Sequence, residues 1–148
     1  MTIQTAARAL LAAAVALSAT AGVHAASMPD YLFVNKSSEV LIDDATTKAL
    51  FAEVVSAKLG KLYPTNKWGF AAQVEGGLTQ SNACVVTARV MLLQRNLPVT
   101  TKLLLFKPER MATTFDTLPG ASIEQCRALA KTKLREANQA LVSVLVPE

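Results

Sequence analysis

The sequence predicts an α+β domain: an N-terminal helix, a four-stranded antiparallel β-meander and a long C-terminal helix packed on the sheet, joined by one disulfide. Three observations lead there. Apolar residues keep a helical spacing up to about Leu62, switch to alternation from Lys67, and return to a helical stripe after Ser122. Gly, Pro and Asn clusters separate the alternating runs. The two cysteines, Cys84 and Cys126, fall at the start of a predicted strand and on the apolar stripe of the last helix.

Taken in order, Tyr31-Leu32-Phe33-Val34 is a short run of β-favouring residues, read as an edge strand or a docked N-terminal arm. Asp43 and Asp44 precede a helical stretch to about Leu62, with Asp44 as the expected N-cap and Pro64 closing the far end. Trp68, Phe70, Ala72 and Val74 then alternate with smaller or polar residues, and a loop is expected over Gly76-Gly77 to Ser81-Asn82. Ala83 to Gln94 reads as a strand rich in β-branched residues. A turn at Asn96-Leu97 leads into Val99 to Phe106, and Lys107-Pro108-Glu109-Arg110 reads as a second turn into Met111 to Thr117. Leu118-Pro119-Gly120 ends the sheet. Ser122 with Gln125 forms a capping-box start for the last helix, whose stripe is Ile123, Cys126, Ala130, Leu134, Ala137, Leu141 and Val144.

The chain has 148 residues, 51% of them hydrophobic and 18% charged, with a formal net charge of +4. Its mean hydropathy is +0.31. Such a chain carries the apolar area that disordered and linker sequences lack. Two cysteines and one histidine exclude a disulfide-dense miniprotein and a Cys/His zinc module, and the absence of a long basic run speaks against a nucleic-acid arm.

Residues 1–25 combine the basic Arg8, the apolar run Ala9 to Leu17 and small residues ending Val23-His24-Ala25. This is the three-part pattern of a secretory signal peptide cut after Ala25, leaving a single domain over residues 26–148 in the periplasm or outside the cell. The apolar run falls well short of the ~20 residues that span a bilayer, so no integral span is expected after cleavage. Cleavage would also remove His24, the only histidine. Histidine is the side chain most used as a general base and as a metal ligand, so no metal, cofactor or imidazole-based catalysis is expected of the mature chain.

The remaining chemistry is thin. Asp43 and Asp44 fit capping, and nothing in the sequence brings Glu75, Glu109 and Asp116 together as acid–base partners. No Ser-x-x-Lys arrangement occurs, and Gly76-Gly77 is not followed by Gly-Lys-Ser/Thr. Arg127, Lys131 and Arg135 recur every four residues on the last helix, where the interspersed Glu124 and Glu136 suggest a solvated face.

The disulfide has a geometric consequence. If Cys84 meets the helix, period-two alternation turns Val86, Ala88, Val90 and Leu92 the same way. A tight turn at Asn96-Leu97 would then pair Val90 with Leu103 and Ala88 with Leu105. The opposite face would carry Thr87, Arg89, Met91, Leu93, Lys102, Leu104, Phe106, Met111, Thr113 and Phe115, too apolar for a solvated surface. Two coverings are expected for it: the first helix or the N-terminal arm, or a partner outside the domain. The sequence-level expectation is a non-catalytic binding protein, such as an inhibitor, an immunity factor or an envelope-assembly subunit. Arg89, Met91, Leu93, Lys102, Leu104, Phe106, Met111 and Phe115 would contact an unknown protein or a second copy. The alternative is a carrier of a small apolar ligand or lipid held between sheet and helix.

Overall fold

In the computed structural model the described residues are 29–95 and 104–147, the side chains of residues 104–106 excepted. The elements are β1 (Leu32–Asn35), α1 (Asp44–Ala52), α2 (Ala57–Leu62), β2 (Trp68–Leu78), β3 (Cys84–Arg95), β4 (Leu104–Leu118) and α3 (Ile123–Leu145). One sheet runs β1-β2-β3-β4, with β1 parallel to β2 and the other neighbours antiparallel. The fold is α+β with a mixed sheet, α3 packed on it and one disulfide.

The sheet is therefore not the antiparallel meander expected from the sequence. The arm at Leu32–Asn35 is its first strand, and the chain returns to the sheet through α1 and α2, a crossover that delivers the next strand parallel. A strand thus precedes the helical region, which is itself two short helices in place of one. After the β-branched pair Val54-Val55, Ser56 takes an extended conformation and its Oγ accepts the N–H of Leu59, so a new N-cap interrupts the run. The cap of α1 is Asp43, whose carboxylate accepts the N–H of Thr46 at 2.7 Å, while Asp44 lies in the first turn and pairs with Lys48.

Three further expectations are corrected. Lys107 to Arg110 make no turn; they lie inside β4, a single 15-residue strand. Pro108 is accommodated because β4 is an edge strand, where a missing N–H need not break a ladder, and register shifts between Leu92 and Leu93 and between Leu93 and Arg95 absorb the irregularity. Val90 consequently pairs with Ala112 and Ala88 with Thr114, not with Leu103 and Leu105. The turn expected at Asn96-Leu97 lies outside the described residues. Gly76 and Gly77 belong to β2 and not to a loop. Gly76 has φ +118°, and a Cβ there would collide with the carbonyl oxygen of Val85, so this close passage of β2 past β3 requires glycine.

The core lies on one side of the sheet. Phe70, Ala72 and Val74 from β2 and Cys84, Val86, Ala88, Val90 and Leu92 from β3 are fully buried. From above they meet Cys126, Ala130, Leu134, Ala137 and Leu141 of α3. Leu41, Ile42, Leu50, Phe51 and Leu59 close the same core from the crossover. Tyr31, Phe33 and Phe51 form an aromatic group with Phe70, with ring centroids 4.6–4.9 Å apart for Phe51–Phe70, Phe33–Phe51 and Tyr31–Phe70. The stripe of α3 is rotated slightly from the expected one: Val144 is exposed, whereas Asn138 and Leu145 are buried. Its start is the predicted capping box, with Ser122 and Gln125 bonded reciprocally.

Cys84 and Cys126 are disulfide-bonded, with Cα atoms 5.5 Å apart and 42 residues between them in sequence. Replacing both by Ala should lower unfolding stability by roughly 3–4 kcal/mol on the chain-entropy account, read as a fall in the urea midpoint with an equal or steeper slope, since the uncrosslinked unfolded chain exposes more surface. A midpoint unchanged from the oxidised chain would contradict that role.

The hydroxyl of Tyr31 donates to the carbonyl of Tyr63 at 2.6 Å, and burial pushes its pKa up to about 12. Its unfolded value is about 10. The linked stability is therefore fully present below pH ~10 and is lost as pH rises toward about 12. Ultraviolet titration of the chain against Tyr31→Phe should show the Tyr31 phenol ionising only with alkaline unfolding; ionisation near pH 10 in the folded chain would contradict this.

Candidate binding face

Alternation places Ala71, Gln73 and Glu75 of β2, Thr87, Arg89, Met91 and Leu93 of β3, and Met111, Thr113 and Phe115 of β4 on the side of the sheet away from the core. The helices all lie on the other side: α3 spans β3 and β4, Leu59 of α2 enters the same core, and Phe51 of α1 stacks on Phe33, which shares the face of Phe70. Among the described residues no helix covers the second face. The expectation that the first helix or the N-terminal arm would lie over it is thus not met, because the arm extends the sheet as β1 and the crossover returns on the core side.

Register sets out the face in rows. Met91 stands opposite Met111, Arg89 opposite Thr113 and Thr87 opposite Phe115. Met111 and Phe115 are 55% and 62% exposed, and Met91 is half-buried. A polar strip crosses the middle. Arg89 approaches Glu75 at 3.9 Å, and the Gln73 amide donates to Glu75 Oε1 at 2.7 Å. So exposed a pair contributes little to stability and leaves both charges open to a partner.

The structure brings Arg89, Met91, Met111 and Phe115 together on this face, as the alternation predicts. Leu93 and Ala71 share the face but are only 6% and 1% exposed, so the open part of the face is the part toward β4, around Arg89, Met111 and Phe115. Leu104 and Phe106 lie on β4 with side chains outside the described set, and Lys102 lies outside the described residues.

The inner side of β4 is polar. Thr114 donates to the carbonyl of Lys133 at 2.8 Å, and the Lys133 ammonium, 14% exposed, lies 3.1 Å from Asp116 and 2.8 Å from Glu136. The Lys133 ammonium holds the Asp116 carboxyl below the usual carboxylate range. The Glu136 and Asp116 carboxylates in turn raise Lys133. These contacts fasten the edge strand to α3 where the core residues are smallest.

The basic row on α3 is not simply solvated. Arg127 Nε donates to the carbonyl of Val40 at 2.8 Å, and Arg135 pairs with Glu53 at 2.9 Å, so both tie the crossover to the helix. The carboxylates considered for acid–base work are dispersed: Asp43 and Asp44 at the start of α1, Glu75 on the open face, Asp116 on the inner side of β4. A groove of about 610 Å³ runs along β1, lined by Tyr31, Phe33, Phe51, Val55, Lys48 and Arg95 among others. The space between sheet and α3, the ligand position in the alternative reading, is lined by side chains that are fully buried.

Sequence reasoning missed Asn138. It is 1% exposed on α3, and neither of its amide atoms has a hydrogen-bond partner among the described residues. Its position four residues after Leu134 on an apolar stripe was the available signal.

No protein-family model matches the sequence, and no curated protein sequence does. Among solved structures, a PelC dodecamer from Paraburkholderia phytofirmans is similar over 82% of this chain and 91% of its own, at 11% sequence identity and a TM-score of 0.41. A likeness this remote assigns nothing to the present chain.

Burying an amide without partners costs about 1–3 kcal/mol. Asn138→Leu, close in volume, should therefore raise unfolding stability by about 1–2 kcal/mol. A fall in the urea midpoint would contradict the unpartnered placement of Asn138.

Proposed function

We propose that this chain is an exported, non-catalytic protein-binding module that acts in the periplasm or outside the cell and presents the open face of its sheet. One observation carries the reading: the helices share the Cys84 side, leaving Met91, Met111 and Phe115 around Arg89 with no described helix over them. Exposed apolar side chains on either side of a charged strip have the make-up of an interaction surface. Arg89 and Glu75 supply opposite charges that set orientation more than affinity.

Export is supported by the three-part N-terminal pattern and by the disulfide, which persists in oxidising compartments. A non-catalytic role is supported by the loss of His24 on cleavage and by the dispersal of the carboxylates over both faces of the sheet. A second reading, carriage of a small apolar ligand, is favoured by the groove along β1, whose aromatic walls are flanked by Lys48 and Arg95.

The immobilised chain should capture a protein from an envelope extract. Met91→Asp should weaken that capture at least tenfold, about 1.4 kcal/mol, with unchanged far-ultraviolet dichroism. Val144→Asp, on the outer side of α3, should leave it intact. Capture insensitive to Met91→Asp would overturn the assignment of the face, and extraction of lipid with the native chain would favour the groove instead.

A further inference from the structure

β4 is the last strand of the sheet, and its outer edge has no neighbouring strand among the described residues. An exposed strand of this length is a template for adding another. Natural edges are blunted by charges and proline, and β4 has these only in its first half, at Lys107, Pro108, Glu109 and Arg110. From Met111 to Leu118 the single charge is Asp116, and Met111, Phe115 and Leu118 are all exposed.

We infer that β4 pairs with β4 of a second copy of this chain, antiparallel, about a two-fold axis at Thr113, joining the two sheets into one. The inference goes beyond the protein-binding reading: it concerns the strand edge and not the open face, and its occupant is a second copy of the chain. A two-fold axis normal to the sheet keeps the open faces of both copies on the same side, so residues opposite one another must both be odd or both be even. Centred on Thr113, the pairing sets Arg110 opposite Asp116 of the partner subunit and, by symmetry, Asp116 opposite Arg110 of the partner subunit. On the open face the same register sets Met111 opposite Phe115 of the partner subunit, again twice. These are the opposite-charge and apolar cross-strand pairs that stabilise antiparallel neighbours.

Both charges are available for this. The Arg110 guanidinium donates only to the carbonyl of Glu109 and has no carboxylate partner among the described residues. Asp116 is 45% exposed beside Lys133, so a second cation can reach it. Moving the axis by one residue breaks the match: centred on Ala112, Arg110 faces Thr114 and Asp116 faces Pro108; centred on Thr114, Arg110 faces Leu118 and Asp116 faces Ala112. A centre at Pro108 would pair Lys107 with Glu109, but Pro108 has no N–H to donate and the ladder to β3 is irregular there. The interface is isologous, each copy contributing the same patch, which closes at two chains and pairs β4 from Pro108 to Leu118.

The test uses the chain expressed from its full coding sequence and purified, followed by sedimentation equilibrium and non-reducing electrophoresis. Expected are a two-chain mass in the micromolar range and at least a tenfold weaker association in Arg110→Asp. The double variant Arg110→Asp/Asp116→Arg should restore the two-chain mass. Thr113→Cys should form a linked dimer on oxidation, whereas Thr87→Cys, one strand further in, should not. A folded chain of single-chain mass at every concentration overturns the inference, as does a two-chain mass that Arg110→Asp leaves unchanged. Neither result removes the binding reading, which fails separately if Met91→Asp does not impair capture of another protein.

Discussion

The bond between Cys84 and Cys126 ties the central strand to the long helix, and alternation along β3 turns that one link into a constraint on the whole sheet. With Cys84 under α3, Val86, Ala88, Val90 and Leu92 must follow it into the core, and Arg89 and Met91 must point away. A slip of one residue would exchange the two sets, placing a guanidinium in the core. The ladders carry the same choice outward, to Phe70, Ala72 and Val74 on β2 and to Ala112 and Thr114 on β4. The face available for binding follows from the face claimed by the disulfide.

That division was legible in the sequence because it depends on local, periodic features. Cys84 with the residues at every second position after it, the stripe beginning at Cys126, and the Ser122–Gln125 box each carry their structural meaning within a few residues. What was not legible depends on partners distant in the chain. Nothing local tells Leu32–Asn35 that its neighbour is Trp68–Leu78 or that the two run parallel; the crossover through α1 and α2 decides it. Lys107-Pro108-Glu109-Arg110 has the composition of a turn, and only its place at the sheet edge lets it continue as strand. Ser56 reads as one more polar residue in a helix until its Oγ is seen capping the next one.

The candidate face shows the same partition. Its membership in Arg89, Met91, Met111 and Phe115 follows from parity, but whether anything lies over it depends on the path of the crossover, which composition does not encode. Leu93 was assigned to the correct side yet is buried, since burial reflects neighbours as well as orientation. Asn138 shows the limit of binary patterning: an amide beside an apolar stripe is counted as polar and outward, while in the fold it is buried.

Among the described residues the helices cover one face of the sheet only, which makes the binding proposal a statement about solvent access. Radical footprinting of the isolated chain, read residue by residue by mass spectrometry, addresses it directly. Phe115 and Met111 should be labelled rapidly while Phe70 and Phe51, in the core, stay protected. Protection of Phe115 and Met111 equal to that of Phe70 would mean that the second face is covered within the chain itself, and the account would be contradicted.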